Sequence, residues 1–289
     1  MKDNKKHKKA EYGILITGLI ILLAATFVTA LCAGQYSVSV PEVTKILASR
    51  FVNVTKTWSN TAEGVVFTLR LPRIIGAVLV GSALSLSGAA YQGVFKNPLV
   101  APDLLGVSSG ACVGASVAIL LHLNSFGVQA MAFVAGILAV GLTLFIPRLI
   151  KNTNMTMLVL SGIIVKGIMD SVMGIIKYVA DPETELQSIT YWQLGSLTKV
   201  LPKDLFTVEP VIVAASVIIF LLRWRINILS LGDREAKTLG VSVTVVRNFI
   251  IICATLLTAS AVCISGTIGW IGLVIPHFAR MLTGPDNTK

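Results

Sequence analysis

The stretch from Leu69 to Gly114 reads LRLPRIIGAVLVGSALSLSGAAYQGVFKNPLVAPDLLGVSSGACVG, and its pattern decides the fold. Arg70 and Arg73 stand one helical turn apart, an apolar run rich in Gly, Ala and Ser follows, Asn97-Pro98 breaks it, and a second small-residue run begins at Leu104. Small residues at helical spacing let helix backbones approach closely inside a membrane. The stretch therefore predicts two membrane helices packed within a protein bundle rather than facing lipid along their whole length.

Composition extends that reading to the whole chain. Of 289 residues, 54% are hydrophobic and 13% charged, with a mean hydropathy of +0.81. Such a chain is a polytopic membrane protein. A hydrocarbon core of about 30 Å needs about 20 apolar residues per helix, and about eight such runs are present. The predicted fold class is all-α, a polytopic membrane helix bundle occupying residues 1–289 as one domain. The net charge of +10 does not point to nucleic acid, because the basic residues flank apolar runs and form no patch interleaved with exposed aromatics. Cys32, Cys112, Cys253 and Cys263 all fall in apolar runs, with neither a CxxC nor a His at ligand spacing, so they are read as packing residues.

Taken in order, residues 1–12 form a basic tail, which the positive-inside rule places in the cytoplasm. The apolar run from Gly13 to Ala33 is too long for a signal peptide core and is read as a retained first span. Residues 34–68 are predicted as an external loop with room for one short amphipathic helix. Spans follow at 73–95, 104–121, 128–150, 157–180, 205–222, 245–264 and 268–282. The basic segment 223–244 is a cytoplasmic loop. Sliding the chain by 178 residues lays Gly81–Gly106 over Ala259–Gly284 with eight of 26 positions matching, among them Ser87-Gly88 with Ser265-Gly266. Copies an odd number of spans apart would lie in opposite orientation, as in inverted-repeat transporters.

Few residues offer chemistry. No pair of His or carboxylates has the spacing of a metal site or an acid and base, so no catalytic or metal site is expected. Arg70 and Arg73 share one helical face, suited either to carboxylates of a soluble partner or to interfacial snorkelling. Lys166 and Asp170 are i, i+4 within the fifth span, where they can neutralise one another as the lining of a translocation path or as a structural ion pair. Within LGDREAKTLG, Asp233 favours a helix start and Gly240 a left-handed stop, with Leu231, Ala236 and Leu239 as apolar contacts. That short helix fits either a cytoplasmic partner or the lipid interface.

Five segments together resemble a known family: LRLPR (69–73), SGAAYQGVFKNPLVAPDLLGVSSGA (87–111), YWQLGSL (191–197), LGDREAKTLGV (231–241) and GTIGWIGLVIPHFARMLTGPD (266–286). The chain is similar to FecCD-type permease subunits of iron-chelate and cobalamin ABC importers. The resemblance implies a ten-helix inverted-repeat permease, so two spans would lie beyond Lys289, and this sequence is either a fragment or truncated. It implies a homodimer in a bacterial or archaeal cytoplasmic (inner) membrane, two cytoplasmic ATP-binding subunits, and an extracytoplasmic substrate-binding protein. ATP and Mg would be bound by the partner ATPase, with no cofactor in this chain, in which no GxxxxGK[ST] occurs.

Carried over by motif, Arg70 and Arg73 would dock the binding protein, Asn97, Leu99 and Asn154 would contribute to a cytoplasmic gate, and Leu231, Gly232, Asp233, Ala236, Leu239 and Gly240 would form the helix coupled to the ATPase. The implied cargo is a ferric siderophore or related metal chelate, with cobalamin, heme and molybdate as alternatives. Two rivals are an ion-gradient-driven secondary transporter using Lys166 and Asp170, and an intramembrane enzyme centred on His277. The second lacks a partnering nucleophile or metal cluster.

Overall fold

A computed structural model describes residues 2–152, 154–284 and 286, the first ten of these by backbone alone, so the side chains of the basic tail lie outside it. The helices are α1 (Lys2–Cys32), α2 (Val40–Ala48), α3 (Asn60–Gly64), α4 (Leu71–Phe95), α5 (Val107–Leu120), α6 (Ser125–Leu149), α7 (Met155–Val179), α8 (Glu185–Leu194), α9 (Pro202–Leu231), α10 (Asp233–Thr238), α11 (Val243–Ser265) and α12 (Ile271–Thr283). A π-helical turn, Val65–Arg70, joins α3 to α4, and a 3-10 turn, Pro102–Leu105, precedes α5. No strand occurs among the described residues. Six helical stretches are long and apolar enough to cross a membrane, while α5 and α12 are shorter apolar helices, and together they occupy the eight predicted positions.

Three boundaries differ from the sequence reading. The second span does not start at Arg73, because helix runs from Asn60 through the π turn to Phe95. The sixth continues past Leu222 to Leu231, since Ile226 and Leu229 keep a buried face at i, i+3 spacing while Arg223, Trp224 and Arg225 stay exposed. The polar stretch after Ala180 folds into α8, anchored by buried Ile189. The 178-residue offset pairs Gly88, which lies mid-helix, with Gly266, which ends α11, so that stretch does not repeat element for element.

Backbone contacts divide the chain into two units, Met1–Ala77 and Val78–Lys289. In the first, α2 buries Val43 and Ile46 at i, i+3 spacing, and these join Leu31, Val38, Trp58, Ala62 and Val66 in a small core. Ser59 caps α3 by accepting the Ala62 N–H at 3.0 Å, and Lys56 pairs with Glu63 at 2.7 Å.

In the second unit, α11 is the buried axis, with 78% of its apolar window inside the protein. Helix α4 docks on it through hydroxyls: Ser87 Oγ donates to the Ala254 carbonyl at 2.9 Å and lies 2.7 Å from Thr258 Oγ1, and Tyr91 Oη lies 3.0 Å from Thr255 Oγ1. These contacts satisfy polar groups where no water competes. Glycines set the other approaches. A Cβ at Gly88 would run into the Gly272 carbonyl of α12, one at Gly272 would lie 2.8 Å from the Leu84 carbonyl, and one at Gly114 would lie 2.6 Å from Ala135 Cβ of α6. Gly81, by contrast, has nothing within 4 Å of such an atom. Of the small residues in the opening stretch, Gly88, Gly110 and Gly114 therefore carry close packing and Gly81 does not.

Gly88→Val should lower stability by about 1–3 kcal/mol through forced separation of α4 and α12, whereas Gly81→Ala should be neutral or stabilising. Thermal unfolding of the two variants in detergent checks the contrast.

Candidate functional site

The two external arginines have different surroundings. Arg70 folds back on the end of α1: Nη1 donates to the Leu31 carbonyl at 2.6 Å and to the Cys32 carbonyl at 3.2 Å, and Nη2 donates to the Tyr36 carbonyl at 2.5 Å. A cation on the last carbonyls of a helix satisfies orphan acceptors and complements the helix dipole. Gly34 makes room for it, with φ 152 and a space that a Cβ could not share with the guanidinium. Arg73 is half-buried and makes no hydrogen bond or ion pair with the described residues.

After α4 the chain turns sharply at Lys96, whose φ is 53. The Asn97 side chain stabilises this turn by accepting the Leu99 N–H at 2.9 Å, leaving Leu99 75% exposed. Asn154 caps α7, accepting the Met157 N–H at 2.8 Å. Of the three predicted gate residues, Asn97 therefore shapes a turn, Leu99 is the side chain that turn presents, and Asn154 starts a separate helix.

The segment 231–240 is not one helix. Leu231 is the last residue of α9, Gly232 breaks the chain at φ 146, and α10 runs from Asp233 to Thr238 before Gly240 stops it at φ 76. Ala236 is fully buried in the main core, which fastens α10 to the bundle, while Leu239 is exposed. Asp233 accepts from Arg247 Nη2 at 2.7 Å and lies 3.6 Å from Lys96 Nζ. The Arg247 hydrogen bond holds its carboxyl below the usual carboxylate range.

Lys166 does not take Asp170 as its partner. Its Nζ donates to Asp103 Oδ2 at 3.0 Å. The reason lies in the 3-10 turn, which rests directly on α7 because Gly162 has no side chain: a Cβ there would collide with the Leu104 carbonyl and sit 3.2 Å from Leu105 Cα. Thr143 pins the other side by donating to the Leu105 carbonyl at 3.0 Å. Asp103 is fixed further by accepting the Ser108 N–H at 3.1 Å, so a preset carboxylate reaches Lys166. Asp103, Lys166 and Asp170 then line one cavity of about 280 Å³ with Ser108, Ser109, Cys112, Met173, Gln193 and the 267–269 loop. That loop is stitched to the end of α8: Ser196 N donates to the Ser265 carbonyl at 2.6 Å, and Thr267 Oγ1 donates to the Gln193 carbonyl.

No group of three metal-ligating side chains occurs among the described residues. Cys112, Cys253 and Cys263 are buried free thiols and Cys32 is half-buried. His277 is exposed, and Phe278 is its ring neighbour.

The model of the FecCD transport family matches residues 21–289. This chain belongs to that family. It is 37% identical over 277 residues to the molybdate import system permease protein MolB of Haemophilus influenzae, covering 96% of this chain and 81% of that one. It is 41% identical over 225 residues to a permease protein assigned to an iron chelatin transport system of Helicobacter pylori, covering 78% and 68%. Among solved structures, a metal-chelate type ABC transporter in an inward-facing conformation superposes with a TM-score of 0.85 at 34% identity, covering 96% of this chain and 84% of that one. The chain is thus a multi-span permease subunit of an ABC importer.

Within this FecCD permease, sequence reasoning missed Asp103, Lys96 and Arg247. Asp103 and Lys166 are separated by 63 residues, and the signal in the sequence that bears on their meeting is Gly162, which that reasoning did not single out.

A double-mutant cycle on Lys166→Gln and Asp103→Asn should give a coupling of about 0.5–1 kcal/mol, and the same cycle with Asp170→Asn a smaller one. Unfolding of the four combinations in detergent reads both couplings.

Proposed function

We propose that this chain translocates a ferric siderophore or related metal chelate, as a homodimer bound to two cytoplasmic ATPase subunits and served by an extracytoplasmic binding protein. ATP and Mg are handled by the ATPase partners. The N-terminus faces the cytoplasm, and the membrane is the cytoplasmic (inner) membrane of a bacterium or archaeon. Closure of the ATPases on nucleotide displaces α10, and the bundle exchanges outward for inward access by population shift between two states. Exposed Leu239 and the exposed tip Leu231 flank α10 as the apolar contacts for the ATPase.

The observation that supports a chelate over free molybdate is the charge of the polar cavity. Asp103 pairs with Lys166, Asp170 acts on the same lysine, and Lys177 donates to the lining Gln193, so two carboxylates stand against two cations. A polar wall of balanced charge offers a small dianion no net attraction and leaves a neutral chelate unhindered. The pathway in this reading passes Lys166 and Asp170. The 37% identity to MolB favours the second reading, molybdate.

Proteoliposomes holding the permease with its ATPase, and supplied with its binding protein, should take up a radioiron-labelled hydroxamate chelate only with ATP present. Molybdate uptake under the same conditions would transfer the assignment to the oxyanion. Uptake driven by an ion gradient without the ATPase would remove the importer reading.

The docking surface also becomes a single residue. Arg73→Glu should raise the binding-protein concentration for half-maximal stimulation of ATP hydrolysis about tenfold, roughly 1.4 kcal/mol. Arg70→Glu should instead lower the unfolding temperature, because it uncaps α1.

A further inference from the structure

Asp233 is the meeting point of three elements. It opens α10, it accepts Arg247 Nη2 of α11 at 2.7 Å, and it stands 3.6 Å from Nζ of Lys96, in the turn that presents Leu99. The two cations differ in kind. Arg247 is buried, its side chain 8% exposed, and its Nε has no hydrogen-bond partner among the described residues, where Asp233 is the carboxylate that meets its charge. Separating α10 from α11 would strand a buried guanidinium, which is strongly unfavourable. Lys96 is exposed by 36%, its contact is long, and an exposed pair of that kind contributes little to stability and breaks readily.

We infer that Arg247 clamps α10 to α11 while Lys96 latches α10 to the Leu99 turn, so that displacement of α10 is transmitted to that turn through the Lys96–Asp233 pair. Lys96 is a positioning residue in this scheme, since it acts through the turn and not on cargo. The inference rests on the reading of α10 as the ATPase-coupled helix. A stiff clamp and a soft latch on the same carboxylate give the arrangement two discrete states. With the latch closed, the turn follows α10. With the latch open, α10 and α11 move as one body and Leu99 stays behind. A contact present in one state and absent in the other couples a nucleotide-driven movement of α10 to the side chain that the turn presents.

The test needs no knowledge of the cargo. In the assembled permease–ATPase complex carrying Leu99→Cys, the rate of maleimide labelling at that position is measured by peptide mass with and without ATP and vanadate. The parent should show a nucleotide-dependent change of about fivefold or more. Adding Lys96→Gln should abolish the change at an unaltered unfolding temperature, and Lys96→Arg should keep it. A Lys96→Gln complex that changes as the parent does would overturn the latch, as would equal loss in Lys96→Gln and Lys96→Arg, or no change in the parent. Leu239→Asp separates the underlying reading: it should prevent association of the ATPase. If Leu239→Asp complexes assemble and hydrolyse ATP like the parent, α10 is not the coupling helix and the latch falls with that reading. If Leu239→Asp blocks assembly while Lys96→Gln changes nothing, the latch alone is wrong.

Discussion

The second unit depends on how closely α4 can approach α11 and α12. Lipid is as apolar as a leucine side chain, so helices in a bilayer gain little from burying one another's apolar surface and rely on contact and hydrogen bonding. Here the contact is backbone to backbone at Gly88 and Gly272, with the Ser87, Tyr91, Thr255 and Thr258 hydroxyls closing the gap between α4 and α11. Moving α4 outward by one methyl group would break the hydroxyl contacts and shift the start of the turn that holds Lys96, Asn97 and Leu99. It would also move Gln92, whose amide donates to the Val100 and Leu273 carbonyls at 3.2 Å. The turn that presents Leu99 is therefore positioned by small residues in the middle of the helix before it.

The same logic places the charges. Asp103 reaches Lys166 because the 3-10 turn can lie on Gly162, and Asp233 reaches Arg247 because the break at Gly232 re-aims the chain after α9. In each case a position without a side chain lets a backbone segment bring a carboxylate to a cation on another helix. A carboxylate so held reorganises little when its partner is bound, which is what makes an ion pair worthwhile in a medium of low dielectric.

Much of this was legible in the sequence. Apolar run length located every span, and Gly240 was read correctly as a left-handed stop, because these depend on residues within one or two turns. The partner of Lys166 was not legible. The i, i+4 rule offered Asp170, a local candidate, while the true partner came from a turn whose position depends on Gly162 and Thr143. Arg70 was misplaced for a related reason. Its spacing with Arg73 was read as a shared helical face, but the Leu31 and Cys32 carbonyls at the end of α1, the Tyr36 carbonyl beyond it and the room left by Gly34 draw it inward. The helical character of residues 60–70 was hidden because a π turn shifts the apolar period, and the polar Asn60, Thr61 and Glu63 resemble a loop.

Relatives with this fold carry cargoes as different as an oxyanion and an iron chelate, which follows from what a pathway wall must do. A wall that bound its cargo tightly would hold it, so passage requires weak contacts and leaves selection to charge and access. The cavity of this chain has that character: two carboxylates and a lysine, two serines, a threonine and a glutamine, with no group of metal-ligating side chains among the described residues. Under the proposed function its balanced charges would neither draw in small anions nor grip metal, and the affinity that captures cargo would reside in the binding protein. The permease then needs stiffness where Asp233 holds Arg247 and compliance where it meets Lys96, and little chemical recognition between them.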